Sequence, residues 1–419
     1  MFRCFHKCLI MGMLLALSFS GVVLSATSTT STTSWADWFN QQINESPEVV
    51  SAREKMNAAL SLAESREQPL YNPELETEYE REASYNNYRI GGRQTIDWWD
   101  KRGARKQQAN FSRIAEQQVF NFTVQIKKAE ALQYLIDWSA ASHASKLALK
   151  QEQQLDILLG LIKARQKGGD LGQIDAELAY LSLSQTLNVT AKAQVRLKKI
   201  EMHLRELLPR WTSTLSLIPD EFWMIKTSLL KNSEKAKAWV NQHPKVIAAR
   251  AQAEVLQQSA ALAQKETKSD PTFGLNAGKT TGDNVVALSF SIPLNIRNNF
   301  KAQARAASQD ALSAEAQYRM IKRKQHFAIE ASESTLLEYQ ERFKRWQSLM
   351  EGRGERISRL LEKQWRSGDL STADYLVALQ QRTEGLLAGI ELRAQFQSST
   401  LDWLLQTGQI TVAIEQLAR

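Results

Sequence analysis

The chain has 419 residues with 53 Lys and Arg against 45 Asp and Glu, a net charge of +8, and only two cysteines. Its basic residues are spread along helical segments and are not gathered on one face among aromatics, which excludes a nucleic-acid footprint. Cys4 and Cys8 both lie at the extreme N-terminus, so the remainder holds no disulfide framework or thiolate metal site.

Taken in chain order, Arg3 and Lys7 precede an apolar run from Leu9 to Phe19 that is too short to span a bilayer. Residues 1–26 read as a secretory signal peptide, with cleavage after Ser25 or Ala26, and neither cysteine follows the small-residue pattern of a lipid anchor. A flexible Ser/Thr-rich stretch is expected over 27–36. Beyond the signal no apolar stretch approaches the roughly 20 residues of a transmembrane helix. A membrane crossing would therefore have to use β-strands.

Residues 37–68 are Ala-, Gln- and Glu-rich and helical in composition, and Pro73 starts an extended segment. There Leu75, Thr77 and Tyr79 alternate with Glu74, Glu76, Glu78 and Glu80, the period of a strand, and Asn86-Asn87 is expected to turn the chain back. The hairpin spans about 72–97. A proline-free helix follows over about 101–166, on the order of 100 Å long at ~1.5 Å per residue. Val119, Phe122, Ile126, Ala129, Ile136 and Ala140 recur at heptad spacing and predict side-by-side pairing. A glycine turn at 168–171 reverses the chain into a return helix over 173–208.

Residues 211–236, with Pro219, are expected to link the halves and form a small side domain. The order then repeats: helix 235–267, hairpin about 270–293, long helix about 299–366, tip 367–370, return helix 372–407, and a tail over 409–419. In this second hairpin Val286, Leu288, Phe290 and Ile292 alternate with Val285, Ala287, Ser289 and Ser291. The second long helix carries the spacing Ala307, Ala311, Ala314, Tyr318, Ile321 and Ala328.

The repetition is visible in four collinear matches. Ser46–Arg53 aligns with His243–Arg250, identical at four of eight positions, an offset of 197 (243 minus 46). Asn72-Pro73 answers Asp270-Pro271, Gln94–Asp97 answers Phe290–Pro293, and Lys167–Leu171 with Asp175 answers Arg366–Leu370 with Asp374. A period this long marks duplication of a half-molecule and not a solenoid. The units run over 37–210 and 237–408.

These landmarks also resemble those of the TolC-type outer-membrane efflux family. Asn72-Pro73-Glu74-Leu75 is similar to that family's entry into the first strand, and Gln94–Asp97 with Lys101-Arg102 to its strand-to-helix exit. Ser291–Leu294 with Arg297-Asn298-Asn299 resembles the second exit, and Arg366–Ser371 with Asp374 and Leu376 the hairpin tip. The short chain and the Asn-Pro-Glu-Leu form favour the cobalt–zinc–cadmium (CzcC-like) branch. The resemblance implies a mainly α fold with a small β part. Coiled-coil hairpins would form a periplasmic tunnel, and four strands per chain would enter a trimeric twelve-stranded barrel. It also implies a periplasmic membrane-fusion adaptor, an inner-membrane RND-type pump and a Gram-negative outer membrane. Independently, four strands cannot close a barrel, and open edges cannot face lipid.

The expected function is passive conduction of heavy-metal cations in a tripartite pump, with drug or protein export as the alternative within the same fold. A periplasmic coiled-coil scaffold is a further alternative, but it has no use for two symmetric hairpins. Gly169, Asp170 and Leu171 and their counterparts Gly368, Asp369 and Leu370 are the candidate adaptor-docking tips. Glycine alone also fits a helix C-cap. Asp175 and Asp374 fit either a helix-dipole role or a ring at a periplasmic constriction. Val286, Leu288 and Phe290 are the expected lipid face, and Trp98 and Trp99 the interfacial aromatics. His143, His203, His243 and His326 stand isolated, and no nucleophile or phosphate-loop motif occurs. No catalytic, cofactor or metal site is expected.

Overall fold

The computed structural model describes residues 34–169, 172–213, 218–223, 233–350 and 352–417. The expected signal peptide, most of the stretch 27–36, Asp170, Leu171 and much of 211–236 lie outside the described residues.

Two helices, α1 (Trp35–Glu45) and α2 (Pro47–Glu67), open the chain. The first begins within the stretch expected to be flexible, because Ser34 caps it by accepting from Asp37 N, and Ala36 and Phe39 are fully buried. Ser46 caps the second and Pro47 occupies its first turn, where a missing N–H costs nothing. The strands β1 (Glu74–Glu82) and β2 (Tyr85–Thr95) follow, then α3 (Lys101–Lys167) and α4 (Gln173–Leu207). The second half repeats the order as α5 (Ser233–Gln242), α6 (Pro244–Glu266), β3 (Thr272–Thr280), β4 (Asp283–Ser291), α7 (Lys301–Met350), α8 (Arg353–Ser367) and α9 (Thr372–Gln406). A last helix, α10 (Ile410–Gln416), occupies the expected tail; Ile410 and Ile414 are fully buried.

The duplication extends to the backbone. Left-handed residues recur in pairs: Ala83 with Thr281, Asp100 with Phe300, and Gly169 with Gly368. Three of these pairs mark the hairpin turn, the helix entry and the tip, so both copies change direction at matching points. The first hairpin turns at Ala83-Ser84, with Glu82 facing Tyr85, not at the expected Asn86-Asn87. Asn87 instead lies in β2, buried, and accepts a hydrogen bond from Thr281 N at 2.8 Å. The second turns at Thr281-Gly282, both left-handed, the arrangement that matches strand twist in a two-residue loop.

With 67 residues, α3 is on the order of 100 Å long and packs against α2, α4, α6 and α9. Its counterpart is not one helix. Gly352, left-handed at φ 67°, separates α7 from α8, and Arg382 Nε donates to the Gly354 carbonyl at 2.9 Å beside the break. The heptad expectation is met in part: Ala129 and Ile136 are buried, whereas Val119 and Ile126 are exposed on the protomer. The buried line of α7 runs through Ala304, Ala314, Ile329 and Leu336, and keeps only Ala314 of the expected set.

Two cores hold the helices. The larger gathers Phe39, Leu132, Ile136, Leu204, Trp403 and Ile410, each within 2% of complete burial. Trp211, Phe222 and Trp223 join it, so these parts of the expected side domain belong to the main body. A fully buried side chain of this size contributes about 1.5–3 kcal/mol, enough in sum to dispense with disulfides. The smaller core sits near the tips, where Leu155, Leu158 and Ile162 of α3 meet Ala176 of α4, Trp365 of α8 and Tyr375 of α9.

Candidate functional site

The four strands form one antiparallel sheet in the order β1-β2-β3-β4. Register assigns each residue to a face. Leu75, Tyr79, Tyr88 and Ile90 share one face with Phe273, Leu275, Val286, Leu288 and Phe290, since Thr77 pairs with Ile90, Ile90 with Ala277 and Ala277 with Val286. Among the described residues nothing covers this apolar face, and Leu288 is 85% exposed. The opposite face is polar. Glu74, Glu76, Glu78, Glu80 and Glu82 line β1 there, and Ala287 and Ser289 lie on the same side of β4. Arg93 bridges Glu74 and Glu76 at 2.6 and 2.7 Å, and Arg89 meets Glu78 at 3.3 Å. Strands β1 and β4 each have one neighbour, so two rows of backbone groups stay open.

Where strands pass into helices, the side chains of the two halves interlock. Lys101 Nζ donates to Asp270 Oδ2 and to the Lys268 carbonyl, each at 2.8 Å, and Tyr71 Oη donates to the same Asp270 oxygen at 2.8 Å. Burial, followed by this bond to Asp270, pushes the Tyr71 phenol up to about 12. Asp97 accepts from the backbone N of Lys101 and Arg102, which satisfies donors at the start of α3. Trp98 is 63% exposed; Trp99 donates from Nε1 to the Ser269 carbonyl at 2.9 Å while Lys268 Nζ lies 4.3 Å from its ring centroid. Of the two expected interfacial aromatics, Trp98 is thus free of contacts that would hold it in the junction, whereas Trp99 is partly engaged there. The Lys101–Asp270 pair is invisible to motif reading because its partners are far apart in sequence; only the match of Asn72-Pro73 to Asp270-Pro271 marks the place.

At the tips, Gly169 (φ 81°) and Gly368 (φ 83°) adopt the left-handed conformation that lets a helix reverse without Cβ strain. At the second tip, Asp369 N and Leu370 N both donate to the Gln364 carbonyl. Leu370 is half-buried against the tip core beside Trp365. Asp369 is exposed and accepts from Ser367 Oγ at 2.8 Å. Asp374 is exposed and closes a capping box: its N donates to Ser371 Oγ, and Ser371 Oγ donates to its carboxylate. Asp175 is half-buried in the first turn of α4, where Gly172 supplies no side-chain cap. The tips are tied together by Arg165, which stacks 4.9 Å from the Trp365 ring centroid and donates to the Arg366 carbonyl.

Of the isolated histidines, His243 has a structural place. It caps α6 by accepting from Lys245 N at Nδ1, and Nε2 donates to the Leu405 carbonyl at 3.2 Å. Burial holds its pKa below the usual histidine value. Among the described residues no group of three or more His, Cys, Asp or Glu is placed to hold a metal ion, and no helix is long and apolar enough to cross a membrane.

Long tandem hairpins of helices carrying a small antiparallel sheet, apolar on one face and open at both edges, define the fold of an outer-membrane channel protomer. No protein-family model matches the chain, and no curated protein matches it in sequence. Solved structures do match. The outer-membrane channel OprN superposes with a TM-score of 0.74 at 14% identity, over 90% of each chain. The CmeC outer membrane channel of Campylobacter jejuni gives 0.73 at 12% identity, over 97% of this chain and 98% of that one. CusC, described in terms of folding and transmembrane channel formation, gives 0.70 at 10% identity, over 89% of this chain and 92% of that one. The fold is that of TolC-type channels.

Proposed function

We propose that the chain is the outer-membrane channel component of a tripartite efflux pump, acting as a homotrimer that conducts cargo passively. The observation that carries this reading is the sheet, whose apolar face is bare in the protomer and whose β1 and β4 edges are unpaired. Three sheets joined edge to edge make twelve strands, which removes every edge and turns the apolar face to lipid. The polar face, with its β1 glutamates, then lines the pore. The helices continue the passage through the periplasm.

Heavy-metal cations are the cargo we assign within this reading, supported by the Asn72-Pro73-Glu74-Leu75 resemblance; drug or protein export is the alternative. Discrimination among cargoes belongs to the inner-membrane pump. The tips are the docking surface for the periplasmic adaptor, with Asp369 the exposed charge on the second. Asp369→Arg is expected to abolish adaptor cross-linking while trimers still form. Reconstitution of the purified protein into planar bilayers tests the channel itself: ohmic conductance is expected, and its absence would overturn the reading. Growth of a deletion strain on metal salts and on drugs tests the cargo, with sensitivity confined to metals as the expected result.

A further inference from the structure

The apolar alternation of β4 does not stop at the strand end. Ile292 follows Phe290 in the same parity, and Leu294 and Ile296 beyond it are 75% and 83% exposed. The first half supplies Ile96 and Trp98 at the corresponding places, also exposed. These residues lie past the last strand pairs and before the helices, so they form an apolar collar on the periplasmic side of the sheet.

Directly behind the collar lies a cleft of ≈ 380 Å³ between the end of α6 and the start of α7. It is lined by Gln264, Thr267, Lys301, Arg305, Ser308 and Gln309. The collar segment is fastened to it, because Asn295 Nδ2 donates to the Thr267 carbonyl at 3.0 Å. Lys301 and Arg305 are both exposed and neither has a carboxylate partner among the described residues. Three other cations at this end are paired: Lys101 with Asp270, Lys265 with Asp100, Arg113 with Glu67. Two unneutralised cations one helical turn apart, with hydroxyls and amides around them, match a phosphate diester's charge and acceptors. Exposed aliphatics alongside match its acyl chains.

We propose that this cleft seats the headgroup of an anionic glycerophospholipid from the periplasmic leaflet, with Lys301 and Arg305 on the phosphate and Leu294 and Ile296 among the first acyl carbons. The seat rests on the outer-membrane reading above. It would fix the depth of the barrel, since the headgroup plane is then set by α7 and not by strand length alone.

Native mass spectrometry of the full-length mature protein in detergent tests this, titrated with dioleoylphosphatidylglycerol, dioleoylphosphatidylcholine or inorganic phosphate. Wild type is expected to retain phosphatidylglycerol over phosphatidylcholine by roughly tenfold or more, a preference two basic groups can supply. Lys301→Gln with Arg305→Gln is expected to lose it, while Lys344→Gln, an exposed change farther along α7, keeps it. The same spectra read the trimer mass, so loss of phosphatidylglycerol from intact trimers is the expected result. Equal phosphatidylglycerol retention by the double variant would overturn the seat, as would its displacement by inorganic phosphate. Recovery of the wild type as a water-soluble monomer would instead overturn the membrane reading itself.

Discussion

The ammonium of Lys101 lies 2.8 Å from Oδ2 of Asp270, and this contact joins the first long helix of one repeat to the strand entry of the other. Both side chains are nearly shut off from water, with 10% and 2% of their surface exposed. A buried pair of this kind adds little against an apolar replacement, but losing one member strands the other charge. Lys101→Met is therefore expected to destabilise the protein by about 3–5 kcal/mol. Lys101→Met with Asp270→Leu should recover most of that loss, although Tyr71 then lacks its acceptor. Unfolding in denaturant reads both, and a double variant as unstable as the single one would contradict the pairing.

The register of β4 sets a contrast between adjacent residues. Leu288 pairs with Leu275 on the apolar face and Ser289 with Gly274 on the polar face. In the proposed barrel, Leu288→Arg would place a charge in the bilayer at a cost of about 2–4 kcal/mol near its midplane, whereas Ser289→Arg would enter the pore. Assembly into the outer membrane should fail for the first and persist for the second. Equal yields would show that the faces are reversed or the sheet is not in lipid.

At the second tip the cap and the charge of Asp374 can be separated. Asp374→Asn retains an oxygen able to accept from Ser371 Oγ and removes the negative charge. If three copies ring a constriction, this change lowers the cation preference of the bilayer conductance and costs at most about 1 kcal/mol of stability. Unchanged ion selectivity would leave Asp374 with its capping role alone.

His243 gives the folded state a pH dependence of definite sign. Its Nδ1 accepts from Lys245 N, so the ring is neutral with the proton on Nε2. Burial lowers its pKa from the ordinary 6.5, so below about 6.5 the unfolded chain binds a proton that the folded chain resists. Stability is complete above that value and falls as the pH drops through the folded pKa. His243→Asn keeps a capping oxygen and cannot titrate, so its stability should fall less on acidification from pH ~7 to ~5. Parallel acid profiles would assign the loss to other groups.

Much of this architecture was legible in the sequence, for reasons the structure makes plain. Hairpins were recognisable because period two is enforced by the two unlike faces of one sheet. The tips were recognisable because a helix reversal demands a left-handed residue, and Gly169 and Gly368 meet that demand. The break at Gly352 was hidden because helical composition continues on both sides of it, although Gly352 and Gly354 stand close together. Asn86-Asn87 misplaced the first turn because Ala83 holds a left-handed conformation that alanine's side chain does not advertise. The packing of Leu370 against the Trp365 cluster had no local signal, because it depends on α8 and α9 meeting there. The phospholipid cleft had no local signal, since it is made by two segments, around Thr267 and Lys301, joined only in space.

Three of these chains are expected to close one barrel in the outer membrane. Fractionation of cells without detergent, followed by native mass measurement of the detergent-extracted protein, tests it most directly. The expected result is recovery with the outer membrane and a mass of three mature chains; a soluble monomer in the periplasmic fraction would contradict it.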